Sequence, residues 1–294
     1  MHHRQNTLET PVVFECQGQQ LVGIIHQTDS AATVGVLVVV GGPQYRVGSH
    51  RQFVLLARHL AAGGIPVMRF DVRGMGDGEG EPRIYANLDD DIGAAVDCLL
   101  ASCPELEGVV LWGLCDAASA SLFYGYQDSR IKGMVLLNPW VFTEQGAAKT
   151  VLKHYYLQRL ASGDFWRKVF SLRFDYARSL ASLLELLRKT RLRTDSGENK
   201  ADTEMAKVDA NLALPIRMRE CLKCFSHPVL LILSGRDLTA DEFRETVKGD
   251  GEWQALLAAP RVTRHDFLEA DHTFSSAAWR DQVAYWTLHW VKHL

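Results

Sequence analysis

No run in this chain approaches the roughly 20 apolar residues that a membrane-spanning helix needs. The opening residues, Met1-His2-His3-Arg4-Gln5-Asn6, carry no apolar stretch of the kind that directs secretion. A cytoplasmic protein is therefore expected. Charge of one sign is also lacking: the 294 residues net −3, which makes no electrostatic case for a nucleic-acid partner. No G-x-x-x-x-G-K-[ST] loop is present, and no G-x-G-x-x-G follows a first strand, so phosphate-loop and dinucleotide chemistry are not indicated. The six cysteines (Cys16, Cys98, Cys103, Cys115, Cys221 and Cys224) are scattered. Cys221 and Cys224 form a lone C-x-x-C without the second pair of a zinc site, so a structural role outweighs a metal or redox one. In a reducing compartment these cysteines should mostly be thiols. Neither metal nor cofactor is expected, and no internal repeat is evident.

What is present is enough apolar sequence for a sizeable core. Hydrophobic residues make up 47% and charged residues 23%, which excludes global disorder. Val12–Cys16 and Leu21–His26 alternate around Gln17-Gly18-Gln19 as a hairpin. Gly35–Val40, Ile65–Phe70, Val109–Trp112, Ile131–Asn138 and Val229–Ser234 are short apolar runs, as strands buried on both faces should be, and Arg261–Leu268 is a sixth candidate. Helical periodicity over Arg51–Ala62, Asn87–Cys98, Asp116–Tyr126 and Ser276–His293 separates them. Buried strands alternating with helices predict an α/β fold with a mostly parallel sheet and helices on both faces.

Between about Trp140 and Phe225 this rhythm breaks. The stretch is amphipathic and helical in pattern, through Leu152, Tyr156, Leu160, Val169, Leu172 and Tyr176, and then polar at Thr194–Lys200. It reads as a helical cap, residues 140–225, inserted between late strands of a core made of residues 1–139 and 226–294. From Lys149 to Arg193 it carries eleven bases against three acids. Such a face is either simply solvated or attracts anionic substrate groups or anionic lipid headgroups, which makes peripheral membrane contact through the cap an expectation.

The chemistry centres on Val109-Val110-Leu111-Trp112-Gly113-Leu114-Cys115-Asp116-Ala117-Ala118. An apolar strand runs into a small-residue helix with one nucleophilic side chain at the joint, the layout of a nucleophile elbow, here G-x-C-x-A rather than G-x-S-x-G. A thiol there is intrinsically more nucleophilic than a hydroxyl, and the helix amino end favours a thiolate and a developing oxyanion. A base is needed. His272 follows the last strand, and His265, inside it, is the weaker alternative. An acid should follow Val229–Ser234. Asp237 is preferred, although Gly235-Arg236-Asp237 is one residue shorter than G-x-x-D and Asp241 competes. Asp237 could instead only cap a helix beginning near Ala240. An oxyanion hole needs two backbone N–H groups. One is expected from Asp116 and the other from the loop Gly41-Gly42-Pro43-Gln44-Tyr45. Pro43 has no N–H, so Gln44 must supply it or the hole is weak. Tyr45 and Trp140 are the candidate substrate contacts. Arg73, in Asp71-Val72-Arg73-Gly74-Met75-Gly76, is expected to brace the site from behind rather than to act in it.

Together, Gly41-Gly42-Pro43, Asp71-x-Arg73-Gly74-x-Gly76, Gly113-Leu114-Cys115-Asp116-Ala117 and Ala270-Asp271-His272-Thr273-Phe274 resemble an α/β-hydrolase of the serine-aminopeptidase-like branch. More narrowly, Gly41–His50 and Trp112–Ala117 resemble the exosortase A system-associated hydrolase, type 1, and Asp237-Leu238-Thr239-Ala240 suits it too. That resemblance implies an α/β-hydrolase fold and a bacterial setting of exopolysaccharide synthesis and protein sorting. The expected activity is hydrolysis of an ester or thioester through Cys115, His272 and Asp237, with a small-molecule or lipid- or sugar-linked acyl substrate. The alternatives are transfer of the acyl group to a sugar or amine, and a non-catalytic binding module on the same fold.

Overall fold

The computed structural model describes residues 8–28, 32–42, 44–142 and 208–294. Met1–Val141 together with Val208–Leu294 makes one compact unit and Phe142–Lys207 a second. Most of the expected cap, residues 143–207, and with it the basic stretch Lys149–Arg193, lies outside the described residues, as does Pro43.

Elements are numbered in chain order among the described residues. The strands are β1 (Leu8–Cys16), β2 (Gln19–Gln27), β3 (Val34–Val39), β4 (Val67–Phe70), β5 (Gly108–Leu114), β6 (Ile131–Leu137), β7 (Val229–Arg236) and β8 (Val262–Asp271). The helices are α1 (Gln52–Ala62), α2 (Asp89–Ser102), α3 (Asp116–Gly125), α4 (Leu214–Cys224), α5 (Leu238–Lys248), α6 (Gly251–Leu257) and α7 (Ala277–Val291). The strands form one eight-stranded sheet in the order β1-β2-β4-β3-β5-β6-β7-β8. β1 pairs antiparallel with β2 and β2 with β4; every pairing from β4 to β8 is parallel. The hairpin turns at Gln17 and Gly18, both at positive φ (52° and 75°), as a tight two-residue hairpin requires.

The central strands are apolar on both faces because helices cover both. In β3, Val36 and Val38 join α1 and α7 through Phe53, Leu56, Leu60, Val283 and Val291. The alternate residues Leu37 and Val39 join the helices of the other face through Ile92, Leu99, Phe123, Met218 and Phe243. Burying each such side chain stabilises the fold by about 1.5–3 kcal/mol. A one-residue slip in β3 would merely exchange the two apolar sets, so register is held instead by its partners: Val38 sits opposite Arg69 on β4 and Trp112 on β5.

One boundary differs from expectation. α4 falls within the sheet unit, not the insertion. Its stripe of Met218, Cys221 and Leu222 is buried with Phe225 on the α3 face of the sheet, and the Arg217 guanidinium lies 3.7 Å from the centre of the Phe123 ring. The amphipathic pattern of α4 is thus satisfied by the core. α6 was not foreseen. It is short, starts at an Asp250 cap that accepts from the N–H groups of Glu252 and Trp253, and is anchored by Trp253, 1% exposed. Among the described residues no helix is long and apolar enough to cross a membrane.

Candidate active site

β5 is buried along its whole length and ends at Cys115, which has φ 62° and ψ −123°. A non-glycine residue in this region is strained by roughly 1–3 kcal/mol. Hydrogen bonds hold it there. The Cys115 N–H donates to the Leu137 carbonyl at 2.9 Å, and its own carbonyl accepts from Ala118 at 3.1 Å and Trp140 at 3.2 Å. The turn also needs Gly113: a Cβ there would stand 2.6 Å from the Ala117 carbonyl carbon. The sharp elbow expected from small residues around Cys115 is therefore formed, and the half-buried Cys115 stands at the carboxyl edge of the sheet, beside the first turn of α3.

The histidine and the acid are brought together by strand register. Arg236 of β7 pairs with Asp271 of β8 after a register shift following Ser234. The next residue on each strand is then Asp237 or His272, and His272 Nδ1 lies 2.9 Å from Asp237 Oδ2. The shift offsets the short G-x-D spacing. Asp237 is 6% exposed in its side chain, and it also caps α5, accepting from the Thr239 N–H at 3.1 Å and the Ala240 N–H at 3.2 Å. Capping and bonding to His272 are thus not alternatives; one carboxylate does both. Asp241 instead pairs with Arg244 at 3.0 Å. His265 stacks on Trp286 with ring centres 4.4 Å apart, so it is a packing residue.

His272 is raised to about 10, first by its hydrogen bond to Asp237 and then by one to Cys115, with burial opposing. The imidazole is thus bonded to the carboxylate and near enough to Cys115 to feel its sulfur, and its charged form is favoured. The shift lies above the ordinary histidine value. Any stability it confers is complete below about pH 6.5 and is lost as pH rises through about 10.

A buried polar network not anticipated from sequence positions the histidine turn. Asn138 Nδ2 donates to the His272 carbonyl at 3.0 Å and to Ser234 Oγ at 2.9 Å. Its Oδ1 accepts from the Ser234 N–H at 2.8 Å, and Ser234 Oγ donates to the Asp271 carbonyl at 2.8 Å. Asn138 and Ser234 are both fully buried. The one signal in the sequence is a polar residue ending each of two otherwise apolar runs.

On the opposite side lies the loop after β3. The Gly42 N–H donates to Asp116 Oδ2 at 2.8 Å. The side-chain oxygen of Gln44 accepts from the Ser49 N–H at 3.4 Å within its own loop. Tyr45 is exposed, and its carbonyl closes the turn to Gly48 at 2.9 Å. Trp140 is tied directly to the elbow, through its N–H to Cys115 and through its carbonyl to Ser119 Oγ at 2.7 Å. A pocket of about 290 Å³ opens beside the elbow, with Gly41, Gly42, Met75, Arg83, Tyr85 and Asp116 in its wall. Arg73 is buried against Asp91, donating from Nε at 3.0 Å and from Nη2 at 2.7 Å. It braces the loop after β4, as expected. All six cysteines are free thiols, and among the described residues no cluster of His, Cys, Asp and Glu is placed to hold a metal ion.

Residues 36–291 match the model of a family described as the alpha/beta hydrolase family. The structure is similar to that of an esterase from Pyrococcus furiosus, with 15% identity, a TM-score of 0.63, and 98% of this chain and 93% of that chain covered. It is also similar to a putative hydrolase from Agrobacterium vitis S4 (14% identity, TM-score 0.57, 98% and 100% covered). A third similar structure is a cold-adapted esterase from an Arctic intertidal metagenomic library (14% identity, TM-score 0.57, 99% and 96% covered). At these identities the likeness is one of fold. No curated protein sequence matches.

Proposed function

Because this chain belongs to the alpha/beta hydrolase family, we propose that it is an acyl hydrolase acting on an ester or thioester through a cysteine nucleophile. One observation carries the reading: a single imidazole, His272, is bonded to the buried carboxylate of Asp237 at 2.9 Å and lies near enough to the elbow sulfur of Cys115 for that group to raise its pKa. In this reading His272 takes the thiol proton, and the imidazolium so formed is stabilised by Asp237. The Cys115 sulfur adds to the substrate carbonyl, and the oxyanion is held by backbone N–H groups of Asp116 and of the loop that contains Gln44. His272 returns its proton to the leaving alcohol or thiol, and the C–O or C–S bond breaks to leave a thioester on Cys115. Water, deprotonated by His272, then releases the acid and restores the thiol. Tyr45 and Trp140 flank the approach as substrate contacts.

The sequence likeness at Gly41–His50 and Trp112–Ala117 supports the narrower proposal of an exosortase-associated hydrolase serving exopolysaccharide or protein-sorting systems in the cytoplasm. Residues 142–207 are proposed to cap the site, with the basic stretch Lys149–Arg193 meeting anionic substrate groups or membrane. Salt-sensitive sedimentation with anionic liposomes is expected, and its absence would remove the membrane contact.

The test is intact mass spectrometry of the protein mixed with panels of esters, thioesters and lactones. An acyl adduct that maps to Cys115 and is absent from Cys115→Ala is expected, with free acid as product. Faster discharge of the adduct to an added sugar or amine than to water would make the protein a transferase instead. No adduct with any donor would favour a binding module.

A further inference from the structure

The Asp116 carboxylate engages backbone donors beside the elbow. It accepts from the Gly42 N–H at 2.8 Å, and the backbone N–H groups of Ala117 and of Asp116 itself also stabilise its charge. Two of these donors are those that flank the elbow: the first N–H of α3 and an N–H of the loop after β3. The fit is close, since a Cβ on Gly41 would stand 2.2 Å from Asp116 Oδ1 and 2.7 Å from the Ala117 nitrogen. A carboxylate is an apt mimic of a tetrahedral oxyanion, because both are compact, anionic oxygen acceptors.

We propose that the Asp116 carboxylate plugs the oxyanion hole at rest, and that it selects acyl groups bearing a hydroxyl or ammonium on the α or β carbon. The proposal rests on the reading of Cys115 as nucleophile. An incoming carbonyl oxygen has to displace the carboxylate from its donors. Once displaced, the carboxylate is a buried charge short of hydrogen bonds, which is costly. A donor group one or two carbons from the reacting carbonyl restores a partner, whereas a plain alkyl chain does not. The pocket beside the elbow has the chemistry to seat such a group. Its wall holds Asp116 itself, Tyr85 and Arg83 among apolar neighbours such as Met75. Tyr85 faces the Asp116 charge, which adds to burial in pushing its hydroxyl above the ordinary tyrosine range. Burial also raises Asp116 above the usual carboxylate range, against the pull of its backbone donors. A displaced carboxylate is therefore poorly solvated here.

The test compares butyryl and 3-hydroxybutyryl thioesters of N-acetylcysteamine on the full chain and on Asp116→Ala and Asp116→Asn. In the native protein kcat/KM is expected to favour the hydroxylated substrate by on the order of tenfold. In Asp116→Ala the ratio falls towards unity because the plain substrate speeds up. Asp116→Asn, which removes the charge but keeps an acceptor oxygen, lies between the two. An unchanged ratio, or a loss of rate on both substrates in either variant, overturns the plug and makes Asp116 only a clamp on the loop. Iodoacetamide alkylation of Cys115, which needs no oxyanion hole, separates the two levels. Alkylation faster than at the exposed Cys224 with an unchanged ratio sinks the plug alone. Alkylation no faster than at Cys224 removes the nucleophile, and this proposal with it.

Discussion

On one flank of Cys115, His272 is bound by Asp237 at 2.9 Å and its carbonyl by Asn138 at 3.0 Å, with Ser234 tying both strands beneath. On the other flank, the loop after β3 gives its Gly42 N–H to Asp116 and the Gln44 side chain to its own Ser49. The first flank is built from strand ends whose register leaves the histidine little freedom. The second is a glycine-containing loop whose Gly42 N–H is already engaged by Asp116. The two flanks divide the work. In the proposed mechanism the proton-transfer side is preorganised, and the charge-stabilising side is opened by whatever displaces Asp116.

Substitutions at the preorganised flank should therefore cost most. Cys115→Ala removes the proposed nucleophile, and turnover of any acyl donor should fall by about 10³-fold or more; survival of substantial activity would place the chemistry elsewhere. Asp237→Asn leaves His272 without its carboxylate, and a loss of roughly 10²–10⁴ in kcat is expected, while asparagine still caps α5. The same substitution bears on pH. In the native protein the contribution of His272 to stability fades as pH climbs through about 10. Denaturant midpoints between pH 7 and 10.5 should fall more in the native protein than in Asp237→Asn. Parallel curves would mean that the pair does not hold the imidazolium.

Asn138→Ala tests whether the histidine turn is held by side chains or by strand pairing alone. It strands the Ser234 N–H and withdraws a donor from the His272 carbonyl, for about 1–3 kcal/mol of stability. A positioning role also predicts a lower kcat at nearly constant KM, and a purely structural role would leave kcat of the folded fraction unchanged. The smallest effect should come from Asp241→Ala. It loses a partly buried pair with Arg244, so stability should move by less than about 1 kcal/mol and activity hardly at all. A large loss there would reverse the assignment of the acid.

The sequence revealed more of the fold than of the site. Gly113, Cys115 and Ala117 announce the elbow because only small residues let a strand turn so tightly into a helix. The central strands show as unbroken apolar runs because both faces are covered. The order Cys115, Asp237, His272 could also be read from position after strands. Asn138 and Ser234 could not, since they act on backbone groups of residues distant in the chain, which composition does not encode. The short spacing before Asp237 looked like a defect because a register shift between β7 and β8 leaves no mark in the sequence. Asp116 looked like a mere backbone donor, since its side-chain direction depends on how closely Gly41 approaches α3. The sequence pattern groups α4 with the insertion because an amphipathic helix shows that it has a buried face, not which surface buries it.

The most direct test of the central claim uses two cysteines of one chain. Cys115 is half-buried and Cys224 is exposed, so accessibility alone would make Cys224 the more reactive. Peptide mapping after limited iodoacetamide treatment at pH 6.5 should show Cys115 alkylated well ahead of Cys224 in the native protein, with that order reversed in His272→Ala. Cys224 reacting first in the native protein would contradict the account.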